Sequence, residues 1–263
     1  MYLNKQVRKA LLAMGVTGAL GVASTGAMAT VYPDFNVNAS NYGGPSFTAD
    51  KITGNYTEIA TFGAGTFDVS VLWQGGQFVK NDGTQALSAA QTGLGTDYGL
   101  YGLFQGSGTF TTSGGTSHFS LGSGSLSLYG DGNNDTTFTA PGTGAGAWTT
   151  GNAGDDALLA TGSILSGAGN LNPNNCVGNL CGSFGQTTTF SLTNPAGTDF
   201  FAFPHPFYNL SLQSGQFNLF TPSGTVTLNG SMDAIFAVPE PATIALMGMG
   251  LIGMGLGMRK SKA

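Results

Sequence analysis

Apolar and polar residues alternate in short runs through most of the chain. Tyr56-Thr57-Glu58-Ile59-Ala60-Thr61-Phe62 alternates tightly, and residues 66–73 set Phe67, Val69 and Val71 on one face against Asp68 and Ser70 on the other. Residues 125–129, 188–192 and 216–220 follow the same rule. The longest run is 225–236, with Val226, Leu228, Gly230, Met232, Ala234 and Phe236 in phase. A period of two over such lengths predicts half-buried antiparallel strands. Gly63-Ala64-Gly65, Gln74-Gly75-Gly76, Ser113-Gly114-Gly115 and Pro222-Ser223-Gly224 punctuate them. Helical patterning is weak. Residues 86–91 are short, and residues 155–165 carry β-branched residues that suit a strand equally well. Residues 140–154 read as a surface loop. No repeat of fixed period is present. The expectation is an all-β domain, an antiparallel β-sandwich or a related architecture.

Two apolar runs do not alternate, and they lie at the two ends. Lys5, Arg8 and Lys9 precede an apolar stretch at 10–23, and Ala27-Met28-Ala29 before Thr30 has the small-x-small form of a cleavage site. Residues 1–29 therefore read as a secretory signal peptide, apart from the fold, with Ala27, Ala29 and Thr30 at the cleavage point. Residues 242–258 form a second run of 17 uncharged residues. As a helix it would reach about 25 Å, the lower limit for a transmembrane span. Arg259, Lys260 and Lys262 follow as a stop-transfer tail that stays cytoplasmic. Both ends place residues 30–238 outside the cytoplasm, as one β-rich domain between a signal-peptide helix and a C-terminal transmembrane helix.

Pro239-Glu240-Pro241, the apolar run and the short basic end together resemble the PEP-CTERM sorting signal of Gram-negative bacteria. The resemblance covers 239–263 and implies that an exosortase, a membrane protease-transpeptidase, recognises the tripeptide and removes the tail. The membrane would hold the protein only until then. Within the domain, Asp50-Lys51-Ile52-Thr53-Gly54-Asn55-Tyr56-Thr57-Glu58, Tyr98-Gly99-Leu100-Tyr101, Cys181-Gly182-Ser183-Phe184, Pro206-Phe207-Tyr208-Asn209-Leu210 and Asn229-Gly230-Ser231-Met232-Asp233 resemble stretches of flocculation-associated PEP-CTERM proteins. That resemblance implies a role in cell aggregation, in floc, biofilm or exopolysaccharide matrix, and no reaction.

Charge sharpens the picture. Of eight Lys and Arg, only Lys51 and Lys80 lie in 30–238, against twelve of the thirteen acidic residues, so the domain carries −10. Such a surface repels nucleic acid and anionic headgroups and attracts cations. Low charge density with many aromatics also argues against disorder. Cys176 and Cys181, an even pair in an oxidising compartment, are expected to form a disulfide closing a six-residue loop. Zinc is not expected, because only His118 and His205 are available to complete a site.

Candidate chemistry is sparse. Asp131, Asn133 and Asp135 alternate oxygens as a calcium loop does at its start, but Thr136 and Gly142 stand where an EF-hand needs Gly and Glu. A simple calcium turn, or an Asp/Asn/Gly turn between the strands around Leu128 and Phe138, fits this stretch. Asp155-Asp156 reads as a solvated loop. No nucleophile elbow, phosphate loop or dinucleotide motif occurs. Glu58 is the only Glu of the domain, so no paired glutamates exist for glycoside hydrolysis. Trp73, Trp148, Tyr98, Tyr101 and Tyr208 suit core packing, with sugar stacking at Trp148 as the alternative. The sequence thus points to a non-enzymatic, exported surface or matrix protein without a cofactor unless calcium binds at 131–135. A carbohydrate-binding module is the second reading and a polysaccharide hydrolase the third.

Overall fold

A computed structural model describes residues 32–177 and 180–237. The chain begins with β1 (Phe35–Asn38), a 3₁₀ turn at Ser40–Tyr42 and β2 (Ser46–Ala49). It then runs through β3 (Lys51–Phe62), β4 (Thr66–Lys80), β5 (Gln85–Ala86), α1 (Ala89–Thr92), β6 (Gly99–Ser113) and β7 (Thr116–Asp131). After β8 (Thr137–Thr139) and β9 (Thr149–Gly151) come β10 (Ala157–Leu171), β11 (Leu180–Thr188), β12 (Ser191–Leu192), α2 (Ala196–Phe200) and β13 (Phe201–Phe203). β14 (Asn209–Asn218) and β15 (Gly224–Ala237) complete it. Among the described residues no helix is long and apolar enough to cross a membrane. The signal peptide and the 242–258 run lie outside the described residues.

Eight strands pair in chain order, β3-β4-β6-β7-β10-β11-β14-β15, every neighbour antiparallel, and β15 pairs back onto β3. The expected all-β antiparallel fold is therefore present. Its opposed faces are joined at both edges into a closed up-and-down barrel rather than left as two open sheets. Closure removes the free edge along most of the length of the eight long strands.

Alternation sets the wall. In β3, Ile52, Tyr56, Ala60 and Phe62 point inward and are buried; β15 faces it with Leu228, Met232, Ala234 and Phe236. The outer faces of the same two strands carry a polar ladder. Thr57 Oγ1 donates to Asn229 Oδ1 at 2.8 Å, the Thr61 and Thr225 hydroxyls meet at 2.8 Å, and Lys51 Nζ pairs with Asp233 at 3.1 Å. Apolar inside and polar outside is the reverse of a lipid-embedded barrel.

The two ends differ. The turns at 63–65 and 114–115, the residues 172–177 after β10 and the 219–223 turn gather at one end, where Phe62 packs on Phe110 at 5.5 Å and on Phe220 at 5.7 Å. The long connections, residues 32–50 and Ala237 lie at the other end, the base. There the small sheet β13-β1-β2 plugs the barrel, and Phe35 meets Phe236 at 4.8 Å and Phe201 at 6.1 Å. The 140–148 loop is folded back on the wall: Gly144 N donates to Thr61 Oγ1 and Gln105 Nε2 to Ala145 O.

Cys176 and Cys181 are joined in the loop between β10 and β11. Closing so short a ring is worth about 2 kcal/mol on the chain-entropy model. Replacing both by Ser should therefore lower unfolding free energy by about 2 kcal/mol in urea and leave the circular dichroism spectrum unchanged. A loss of folded structure would show that the bridge holds more than its own turn.

Candidate functional site

Two groups of polar side chains stand apart from the apolar core, one outside the wall and one inside. Outside, β7 ends at Asp131, which is buried and serves its own turn. Its carboxylate accepts from Asp135 N at 3.3 Å and from Thr136 N at 3.0 Å. Asn133 and Asp135 are exposed. The excursion through β8 and β9 brings Asp155 and Asp156 back to this turn, so that one oxygen from each of Asp131, Asp155 and Asp156 lies within 4.8 Å of the others. Asp156 is fixed by Tyr101 Oη, which donates at 2.5 Å, and by Thr136 Oγ1 at 2.9 Å. Asp135 has its carboxyl raised by desolvation and by the charges of Asp155, Asp131 and Asp156. Three converging carboxylates are a donor set for a hard divalent cation. They differ from the set read in the sequence, Asp131, Asn133 and Asp135: the carboxylate group keeps Asp131, adds Asp155 and Asp156, and leaves Asp135 out.

Inside the wall, β3 aims Glu58 at the lumen. Its register neighbours are Leu228 on β15 and Val71 on β4. The side chain is 7% exposed, and its carboxyl makes no hydrogen bond among the described residues. Burial pushes its pKa up to about 7. The signal was present in the sequence, because Glu58 shares its phase with Tyr56, Ala60 and Phe62.

The other residues weighed for chemistry are dispersed. His118 is exposed on β7 opposite Thr111 and Asn170, and His205 is exposed between two prolines. Trp73 is inside the barrel and donates Nε1 to Met232 O at 2.9 Å. Tyr98 and Tyr101 are buried, and Trp148 is half-buried with its Nε1 enclosed. Of these, Trp73 faces the lumen, whereas Tyr101 lies on the outer face of β6, stacked on Tyr129 at 5.0 Å.

The sorting residues Pro239, Glu240 and Pro241, the basic tail Arg259, Lys260 and Lys262, and the cleavage residues Ala27, Ala29 and Thr30 lie outside the described residues. The family model of the PEP-CTERM protein-sorting motif matches residues 237–261. No curated protein and no solved structure matches the chain. The chain thus carries a signal processed by exosortase, and the protein is exported across the inner membrane to the cell surface or extracellular space. Ala237, where the matched segment begins, is the last residue of β15 at the barrel base.

Proposed function

We propose that the protein is a non-enzymatic surface or matrix component that promotes cell aggregation. The PEP-CTERM motif at 237–261 carries this reading, because it delivers a stable barrel to the outside of the cell. The −10 charge of residues 30–238 supports a mode of action in which divalent cations bridge its carboxylates to anionic exopolysaccharide. Binding of that kind is lost with a chelator and weakened by salt.

Deleting the gene should disperse flocs while polysaccharide yield stays near its normal level. Full-length protein should be retained on the native polysaccharide, and the chelator should release it. Loss of the polysaccharide itself would assign the protein to synthesis or export instead. Retention that ignores the chelator but falls in Trp148→Ala would favour sugar recognition by stacking.

A further inference from the structure

The eight strands enclose a cavity of about 70 Å³. A barrel of this strand number either fills its interior with side chains or holds one small ligand. The lining is apolar except for Gln186 and Glu58. Phe62, Phe119 and Phe220 close it toward the hairpin end, and Trp73 and Met232 floor it toward the base. Among the described residues Glu58 has no counter-charge. Lys51 and Lys80 are the only Lys or Arg in 32–237. Lys51 is held on the outer face by Asp233, and Lys80 ends β4 at the base opposite Gln85. No other titratable side chain lines the cavity among the described residues. Tyr56, two places along β3, gives its hydroxyl to Gln216 O at 3.0 Å. An unpaired carboxyl in an apolar lumen is destabilising, and an aliphatic residue would fill the position without that cost.

We infer that the lumen binds a small apolar amine, with its hydrocarbon body against the aromatic wall and its ammonium on the Glu58 carboxylate. This inference is independent of the adhesive role. The ligand supplies the one charge the fold withholds, and in an apolar cavity that pairing excludes anions of the same size. Size follows from volume: a cavity of about 150 Å³ holds benzene, so about 70 Å³ takes only a short unbranched chain and no ring. β14 and β15 pair from Asn209–Ala237 to Gln213–Asp233, and β14 then follows β11 while β15 continues along β3. An outer recess beside Gln213 and Gln216 shares Ala168, Gly169, Phe184 and Gly185 with the lumen lining.

Calorimetric titration of the full-length protein with n-butylamine, n-butanol and butyrate at pH 8 tests this. Butylamine should bind with a Kd of about 10 μM to 1 mM, within the ceiling for so few atoms, and at least about tenfold tighter than butanol. Butyrate should not bind. Because the ammonium needs the ionised carboxylate, butylamine affinity should fall about tenfold per pH unit below about 7, while butanol affinity should not. Glu58→Gln should erase the preference for amine over alcohol. That variant removes a buried charge and is expected to fold, and the pH series on the unmodified protein provides an independent readout. Equal affinity for butylamine and butanol, a preference that survives Glu58→Gln, or no binding of any of the three would overturn the inference.

Discussion

Replacing Pro239, Glu240 and Pro241 together by alanine should abolish processing of the C-terminal tail and leave the barrel untouched. The substitutions fall beyond Ala237, whose pairing with Asn209 is the last described register of β14 and β15, so every residue of the described barrel is unchanged. They also leave the apolar residues 242–258 and the basic tail unchanged, so the sequence expected to hold the chain at the membrane is kept. The only element lost is the tripeptide within the matched sorting motif. Intact mass or blotting of the membrane fraction should show the tail still attached, with thermal unfolding of the barrel unaltered. The protein should also fail to reach the medium or outer surface in its processed form. A processed mass identical to that of the unmodified protein would remove the tripeptide from its assigned role.

The alternation of β3, β4 and β15 made three walls of the barrel readable, because there apolar positions are aliphatic or aromatic and polar ones are Thr, Ser and Asn. β6, β10 and β11 were harder. In β6 the inward positions include Gly106 and Gly108, and no period-two run of large residues marks them. Packing explains the choice. A Cβ on Gly108 would lie 2.2 Å from Ser120 O and 2.6 Å from the Phe67 ring, and one on Gly124 would lie 2.4 Å from the Phe104 ring. The lumen is filled by rings laid across glycines of neighbouring strands, a pattern that shows only after the strands are paired. Closure was hidden for a related reason. The β3–β15 contact joins residues such as Phe62 and Gly224, far apart in sequence, and local periodicity carries no information about it. The acidic group shows the same limit. Asp131 was visible as a turn residue, but its partners Asp155 and Asp156 return only through the 132–156 excursion.

Glu58→Gln should stabilise the protein at alkaline pH and leave it nearly unchanged near pH 4. In the folded state burial holds the Glu58 carboxyl at a pKa of about 7, against 4.5 for an unperturbed group. Between these values the folded protein keeps a proton that the unfolded chain has released. Raising the pH through this window therefore costs stability: the contribution is fully present below about 4.5 and lost once pH exceeds about 7. A shift of this size corresponds to about 3 kcal/mol. Glutamine is neutral throughout and close in shape, so the variant should lack this slope. Asp50 is also raised, chiefly by burial, and tilts both proteins alike. The difference between the two curves isolates Glu58. Urea unfolding followed by tryptophan fluorescence from pH 4 to pH 8.5 should show curves that coincide at the acid end and separate by up to about 3 kcal/mol at the alkaline end. Saturating the unmodified protein with butylamine at pH 8 should close part of that gap, because the ligand stabilises the charged carboxylate only in the folded state. A gap that is the same at every pH would show that Glu58 is solvated in the folded protein, and the raised pKa would fall with it.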